Sequence, residues 1–357
     1  MPLYPLYALL FFDTGLSAAD LSLLFAVWSV TAVLAEVPAG ALADRWSRRG
    51  AIATGGVLQA VAFAVWTLAP SSAGFAAGFA VWGLAGALVS GTVEALVHDG
   101  LADVGAGSAF ARVHGWMTAA ELLVQVPTAA AASALYAVGG YPLVGWASAA
   151  VCLAWAGLAL RFPEPPRETD GGSLLGTLRR GVADVVRVPA LRLTAVAVAL
   201  VGGLDAVEEY FPVLAADRGV PTVAVPAVVL GVALAGALGA ALGGRVERLP
   251  DRVLPALLAL AGLLLAAVAV LPGPAALVVV AVSYGLYLAV LVVAEARLQE
   301  RIESTRRATV TSVAGLGVEL AGLLVFAAWA AGGVLAVAVL VLAVVPVVAA
   351  GLRRPVS

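Results

Sequence analysis

Eleven apolar runs, separated by short connections, constrain what this chain can fold into: 21–43, 51–69, 75–98, 112–136, 141–160, 193–216, 223–243, 253–271, 274–296, 309–331 and 333–351. A helix needs ~20 such residues to cross a hydrocarbon core of ~30 Å. An open sheet would leave its backbone unpaired there, so helices are the expected elements throughout. A twelfth run, residues 2–12, is apolar but only about half the length of a span. Charged residues make up 12% of the chain and apolar residues 62%, whereas soluble domains carry ~25% charged residues. The expected class is an all-α polytopic membrane protein.

The charges that remain are arranged with a strong bias. All twenty basic residues are arginine. With residues 2–12 counted as the first span, every arginine except Arg218 falls beside the loops after even-numbered spans or at the C-terminus. The positive-inside rule then places those loops and the C-terminus on the cytoplasmic side of the cell (inner) membrane. The outward connections Pro70–Ala73, Gly139–Pro142 and Pro272–Pro274 are short and uncharged. The single cysteine, Cys152, lies within an apolar run and excludes a disulfide framework or a multi-cysteine metal site. There is no His-rich cluster and no nucleophile–base pattern, so no metal, cofactor or enzymatic activity is expected. Lipid, a small-molecule solute and protons are the expected partners; nucleic acid is not, and a monomer is expected.

A weak internal repeat divides the chain. At an offset of 204, Phe12-Asp13-Thr-Gly15-Leu16 aligns with Ala216-Asp217-Arg-Gly219-Val220, and near an offset of 200 Leu42, Arg45 and Arg48 match Leu242, Arg245 and Arg248. The reading is two six-helix halves, 1–161 and 191–352, joined by a cytoplasmic loop at 162–190. Pro163, Pro165, Pro166 and Gly171-Gly172 open that loop as a linker. Ser173 then begins a stretch with Leu174, Leu175, Leu178, Val182, Val185 and Val186 on one face, expected as an amphipathic helix on the inner membrane surface. On the repeat, Met1 aligns with Asp205 although the seventh span begins near Leu193, so the first helix is expected to be truncated and the chain to start late.

Six acids fall inside spans: Glu36, Glu121, Asp205, Glu208, Glu209 and Glu319. Each costs ~2.5–3.5 kcal/mol at a helix centre facing lipid, so each is expected to face water or a polar partner. In the fifth span His114, Thr118, Glu121, Gln125 and Thr128 share one helical face. Asp205, Glu208 and Glu209 cluster in the seventh, Ser283, Tyr284 and Tyr287 mark the tenth, and Tyr4 and Tyr7 the first. A shared cavity near the midplane is expected, lined by Glu121, Gln125, Asp205, Glu208, Glu209, Glu319, Tyr7, Tyr284 and Tyr287. Carboxylates this close repel and burial penalises their charged form, so the cluster is expected to hold and release a proton. His114 is expected to be structural. Gly236, Gly239, Gly243 and Gly244 are expected to be close-packing positions between helices.

The stretch Gly40-Ala-Leu-Ala-Asp44-Arg45-Trp-Ser-Arg48-Arg49, set between the second and third spans, resembles the signature loop of the major facilitator superfamily. Ser47 stands where that family usually has glycine. The runs from Glu36 to Asp44, Ser90 to Asp99 and Arg306 to Ser312 also look like that family's bacterial members. The resemblance implies two six-helix bundles related by a pseudo-two-fold axis, and alternating access. It further implies a cytoplasmic gate of Glu36, Gly40, Asp44, Arg45, Arg48, Arg49, Glu94 and Asp99. There Asp44 would meet the start of the eleventh helix, 305–309, and Arg45 or Arg49 would meet Glu94 or Asp99. Two departures from the drug–proton antiporter pattern stand out. Glu121–Leu135 has only Pro127, and the fourth-helix arginine is replaced near Trp82. The function expected first is secondary active transport of a small organic solute, proton-coupled and efflux-type. The alternatives are a facilitator of a neutral solute and a non-functional truncated transporter.

Overall fold

The computed structural model describes residues 1–164, 189–302 and 307–353; within these, nothing is described of the side chains of Val37, Ala41, Asp44, 189–190, 307–310 and Ser312. The amphipathic stretch expected at 173–187 lies outside the described residues. All regular elements among the described residues are helical: α1 (Tyr7–Asp13), α2 (Ala18–Arg45), α3 (Arg48–Leu68), α4 (Ser72–Val89), α5 (Thr92–Asp103), α6 (Phe110–Ala159), α7 (Pro189–Gly203), α8 (Phe211–Asp217), α9 (Val225–Val246), α10 (Val253–Val268), α11 (Ala276–Arg301) and α12 (Arg307–Gly351), with short 3₁₀ turns between some of them. Two compact units are formed, one of Met1–Ser17, Leu23–Leu174 and Thr222–Ala227, the other of Ala18–Ser22, Leu175–Pro221 and Val228–Ser357.

Among the described residues, seven stretches are long and apolar enough to cross a membrane. They contain nine of the eleven runs, because Gly107–Ala159 and Val313–Gly351 hold two each. Of the remaining two runs, 253–271 forms the shorter α10, and 193–216 is broken by a 3₁₀ segment, Leu204–Tyr210. The doubled runs are continuous because the turn within each is only a glycine pair. Gly139 and Gly140 have φ/ψ of −143°/16° and 60°/−160°, and Gly332 and Gly333 have −167°/23° and 58°/−145°. The second glycine of each pair occupies a region essentially closed to other residues. The same reversal in the same backbone geometry is a repeat signal that the sequence alignment passed over.

The repeat that was read in the sequence has a structural counterpart. Gly15 N–H donates to Phe12 O and Leu16 N–H to Phe11 O; Gly219 N–H donates to Ala216 O and Val220 N–H to Ala215 O. Both are Schellman caps with glycine at a positive φ, 91° and 81°. Arg218, the one arginine outside the positive-inside pattern, donates to the carbonyl of Val268, the last residue of α10. A cation on the negative end of a helix dipole accounts for its position.

In the first unit α3 packs on α4 and α6. Its core is aromatic: Phe11, Phe25, Phe63, Trp66 and Phe75 are fully buried, with Tyr7 and Phe79 at 2% and 1% exposure. Trp66 is seated where Gly78 has no side chain, since a Cβ there would lie 2.1 Å from its Nε1, and that nitrogen donates to Phe75 O at 3.2 Å. Between helices in lipid, such close contact and dispersion take the place of water exclusion as the cohesive force. In the second unit α12 packs on α7 and α10, and α11 on α10 and α7.

Candidate functional site

The polar centre of the second unit is built where α7 gives way to the 3₁₀ segment. Gly202 and Gly203 end α7, and added Cβ atoms there would lie 2.6 Å from Val318 Cγ2 and 2.5 Å from Ala321 Cβ, so α12 sits close against the junction. The 3₁₀ pattern bonds i to i+3 and leaves carbonyls at the junction without their i+4 donors. Tyr287 supplies a replacement: its hydroxyl donates to Val201 O at 3.0 Å. Across from it, α9 and α11 approach to backbone contact, since a Cβ on Gly239 would lie 1.9 Å from Gly285 O. Gly236 leaves room for the Tyr284 ring and Gly243 for Val292, whereas Gly244 meets nothing; three of the four expected packing glycines act as such.

Tyr284, so held, donates to Asp205 Oδ1 at 3.0 Å and reaches Glu208 Oε2 at 3.3 Å. Its ring lies edge-on to Phe211, 5.0 Å between centroids, and tilted beside Tyr287 at 5.8 Å. Two carboxylates thus share one hydroxyl about 12 Å inward from the start of α11, taking 1.5 Å per residue. Asp205 and Glu208 are partly buried, and Glu209 is 6% exposed. A small cavity lined by Leu204, Val207, Phe211, Leu265, Val280 and Val341 lies beside the cluster. Glu295, farther along α11, lies within electrostatic range of Asp205. It was passed over in the sequence, although it stands eleven residues, close to three turns, beyond Tyr284.

The other expected cavity residues are placed differently. In the first unit Tyr7 is inside the aromatic core and not on an open surface. Glu121 and Gln125 lie on the exposed N-terminal half of α6, with most of residues 111–127 also exposed. Glu319 is exposed on α12. His114 is exposed and stacks with Phe110, 5.7 Å between centroids and 15° between planes.

The signature loop forms a compact polar turn at the start of α3. Ser47 is the N-cap, its Oγ accepting from Gly50 N at 2.9 Å and donating to Glu164 Oε2 at 2.6 Å. Glu164 also accepts from Arg48 N at 2.8 Å and lies 3.6 Å from Arg49 Nε. An anion at a helix N-terminus is favoured by the dipole and the free N–H groups. Arg48 pairs with Asp99 and donates to Ala95 O at 3.1 Å. The expected partners are therefore corrected: Arg48, and neither Arg45 nor Arg49, holds Asp99, while Arg49 goes to Glu164. Arg45 and Glu94 are exposed. Ser90 Oγ donates to Glu36 at 3.3 Å, and Gly40 has open space where a side chain would be. The side chains of Asp44 and of its expected partners at 305–309 lie outside the described residues.

The second unit carries an analogous pair with the charges exchanged. Asp251, just before α10, lies 3.0 Å from Arg297 near the C-terminal end of α11. Arg297, 3% exposed, also donates to Leu352 O, and Arg301 donates to Thr194 and to Gly351 O. The two arginines cap the end of α12.

The sequence profile of the Major Facilitator Superfamily matches residues 1–326. Among curated proteins none matches the chain. Solved structures share its architecture. The nucleoside transporter NupG is 14% identical over 98% of this chain and 93% of its own, with a TM-score of 0.72. A D-xylose-proton symporter is 13% identical over 96% and 91%, with a TM-score of 0.73. A bacterial homologue of the human lysosomal transporter Spinster is 18% identical over 92% and 78%, with a TM-score of 0.72.

Proposed function

Because the chain belongs to the major facilitator superfamily, we propose that it is a secondary active transporter moving a small organic solute by alternating access, coupled to protons and directed outward. The carrying observation is the pair Asp205 and Glu208 under the single hydroxyl of Tyr284. The runs 193–216 and 274–296, which carry the cluster, contain no arginine. Enclosing an ionised carboxylate in the bilayer interior is costly. Taking up a proton removes that cost, so protonation licenses the closed state and ties solute movement to the proton gradient. Tyr284 holds whichever carboxylate is ionised, and Tyr287 keeps the 3₁₀ segment that carries both acids. We place the protein in the cytoplasmic membrane with its C-terminus inside, on the arginine distribution. The turn formed by Ser47, Arg48 and Asp99, together with Glu36, Asp44 and Glu94, is assigned to the cytoplasmic gate.

The test is uptake of ethidium, adenosine and xylose into proteoliposomes across an imposed pH gradient, compared with the triple variant Asp205→Asn, Glu208→Gln, Glu209→Gln. Gradient-driven transport by the native chain and its loss in the triple variant are expected. Transport by the native chain that ignores the gradient, or undiminished coupling in the variant, removes the cluster from the mechanism.

A further inference from the structure

We infer that Tyr4, Trp28 and Trp82 form a binding platform for a planar aromatic cation. The inference rests on the reading of the chain as a transporter and assigns a solute class to it. Two helices and the turn before α1 converge here. Gly83 brings α4 against α2, since a Cβ on it would lie 2.8 Å from Trp28 O, and this sets Trp82 beside Trp28 with 6.4 Å between ring centroids. Tyr4, from the turn before α1, meets Trp82 edge-on at 6.3 Å. Behind them Phe79 stacks parallel to Trp82 at 12°, and Tyr7 and Trp66 close the back of the group at 6.1 Å and 5.0 Å from Trp82.

The rings differ sharply in exposure. Those behind are buried, whereas Tyr4 is 37% exposed and Trp28 and Trp82 are partly exposed. Trp28 and Trp82 each lie ten residues from the outer ends of α2 and α4, about 15 Å inward at 1.5 Å per residue. That is the middle of a ~30 Å core and far from the interfacial belts where tryptophan normally anchors. Trp66 finds an acceptor for its indole N–H, but neither Trp28 nor Trp82 has one among the described residues. An indole donor left unpaired in lipid is unfavourable. The exposed rims therefore belong to a surface that meets water or solute.

The chemistry of that surface is selective. Indole and phenol faces attract flat rings and cations. Every charged residue at mid-span in this chain is acidic, and the arginines stand at the span ends. An anionic solute finds no countercharge at this depth, and a sugar-like solute finds few hydroxyl partners. A flat ring bearing positive charge uses both the stacking and the electrostatic attraction.

The experiment is equilibrium binding of ethidium to the purified full chain in nanodiscs, read by fluorescence polarisation against empty nanodiscs, with no gradient present. Saturable binding is expected, weakened at least tenfold by Trp82→Leu and at least fivefold by Trp28→Leu, and by less than threefold in Trp82→Phe, which keeps a ring. Tetraethylammonium, which has the charge without the ring, should not displace ethidium at a hundredfold excess. If Trp82→Leu does not fold, Trp28→Leu decides in the same way. Absence of ethidium binding, native affinity in both leucine variants, or displacement by tetraethylammonium overturns the inference. Because no gradient is applied, a failure here is separate from a failure of proton coupling, which only gradient-driven uptake reports.

Discussion

The hydroxyl of Tyr284 donates to the carboxylate of Asp205 at 3.0 Å, fastening α11 to the 3₁₀ segment of the seventh span. Tyr284→Phe keeps the ring against Phe211 and removes the shared donor. A hydrogen bond to a charged group is worth about 1.5–3 kcal/mol, and about 1.4 kcal/mol is a factor of ten. Gradient-driven uptake in proteoliposomes is expected to fall at least about tenfold, while solute exchange without a gradient persists. Equal loss of both activities would show that Tyr284 serves folding alone.

Ser47 and Glu164 form one cap on α3. Ser47→Ala is expected to cost about 1 kcal/mol of stability, the usual value for losing an N-cap side chain. Glu164→Ala should cost a similar amount, and the double variant less than the sum, with a coupling of about 0.5 kcal/mol or more because the two share a hydrogen bond. Thermal unfolding of the four proteins in detergent measures this cycle; simple additivity would dissolve the proposed unit.

The exchanged pairs of the two units differ in burial. Arg48 and Asp99 have side chains 17% and 39% exposed, whereas Arg297 and Asp251 are at 4% and 33%. Arg297→Ala is expected to destabilise by about 2–4 kcal/mol, since it breaks a mostly buried pair and uncaps α12. Arg48→Ala is expected to cost about 1 kcal/mol, with Asp99 better solvated. Reversing both partners, Arg48→Asp with Asp99→Arg, should recover most of the loss caused by Arg48→Asp alone. Unfolding midpoints that rank Arg48→Ala as the more damaging variant would contradict this assignment.

The glycine pairs at the turns within α6 and α12 make a sharper contrast. Gly140→Ala and Gly333→Ala each place a side chain in a glycine-only region and should cost about 1–3 kcal/mol. Gly332 has an extended φ of −167°, and a Cβ there would meet Ala336 Cβ at 3.1 Å. Gly332→Ala is therefore expected to fall below about 1 kcal/mol. Thermal melts of the three variants decide it, and equal losses at Gly332 and Gly333 would refute the backbone argument.

Helix type and the repeat at Gly15 and Gly219 were legible because each rests on a local rule: span length, and glycine after a helix. The cluster of Asp205 and Glu208 with Tyr284 and Tyr287 was also legible, since mid-span polar residues are few enough to group by depth. Three things were not. Glu164 sits in a proline-rich stretch that reads as linker, and its role depends on a fold-back onto Ser47 from 117 residues away. The choice of Arg48 over Arg45 and Arg49 depends on the phase of α5, reset by the turn at Ser90 and Gly91, where Gly91 has φ 67°. The aromatic core of the first unit is drawn from separate segments, so each ring alone looks like an anchor. Ser47 illustrates the gain from structure: a departure from the family's usual glycine becomes a capping side chain.

The seven residues Leu204–Tyr210 wind as 3₁₀ helix, and this fixes a length and a rotation. At ~2.0 Å and ~120° per residue they span about 14 Å, against about 10.5 Å and ~100° per residue if they were α-helical. Rewinding them would shorten the seventh span by about 3.5 Å and turn its C-terminal end by about 140°. The segment is thus a screw of known pitch, with Asp205 in its first turn and Tyr210 at its far end.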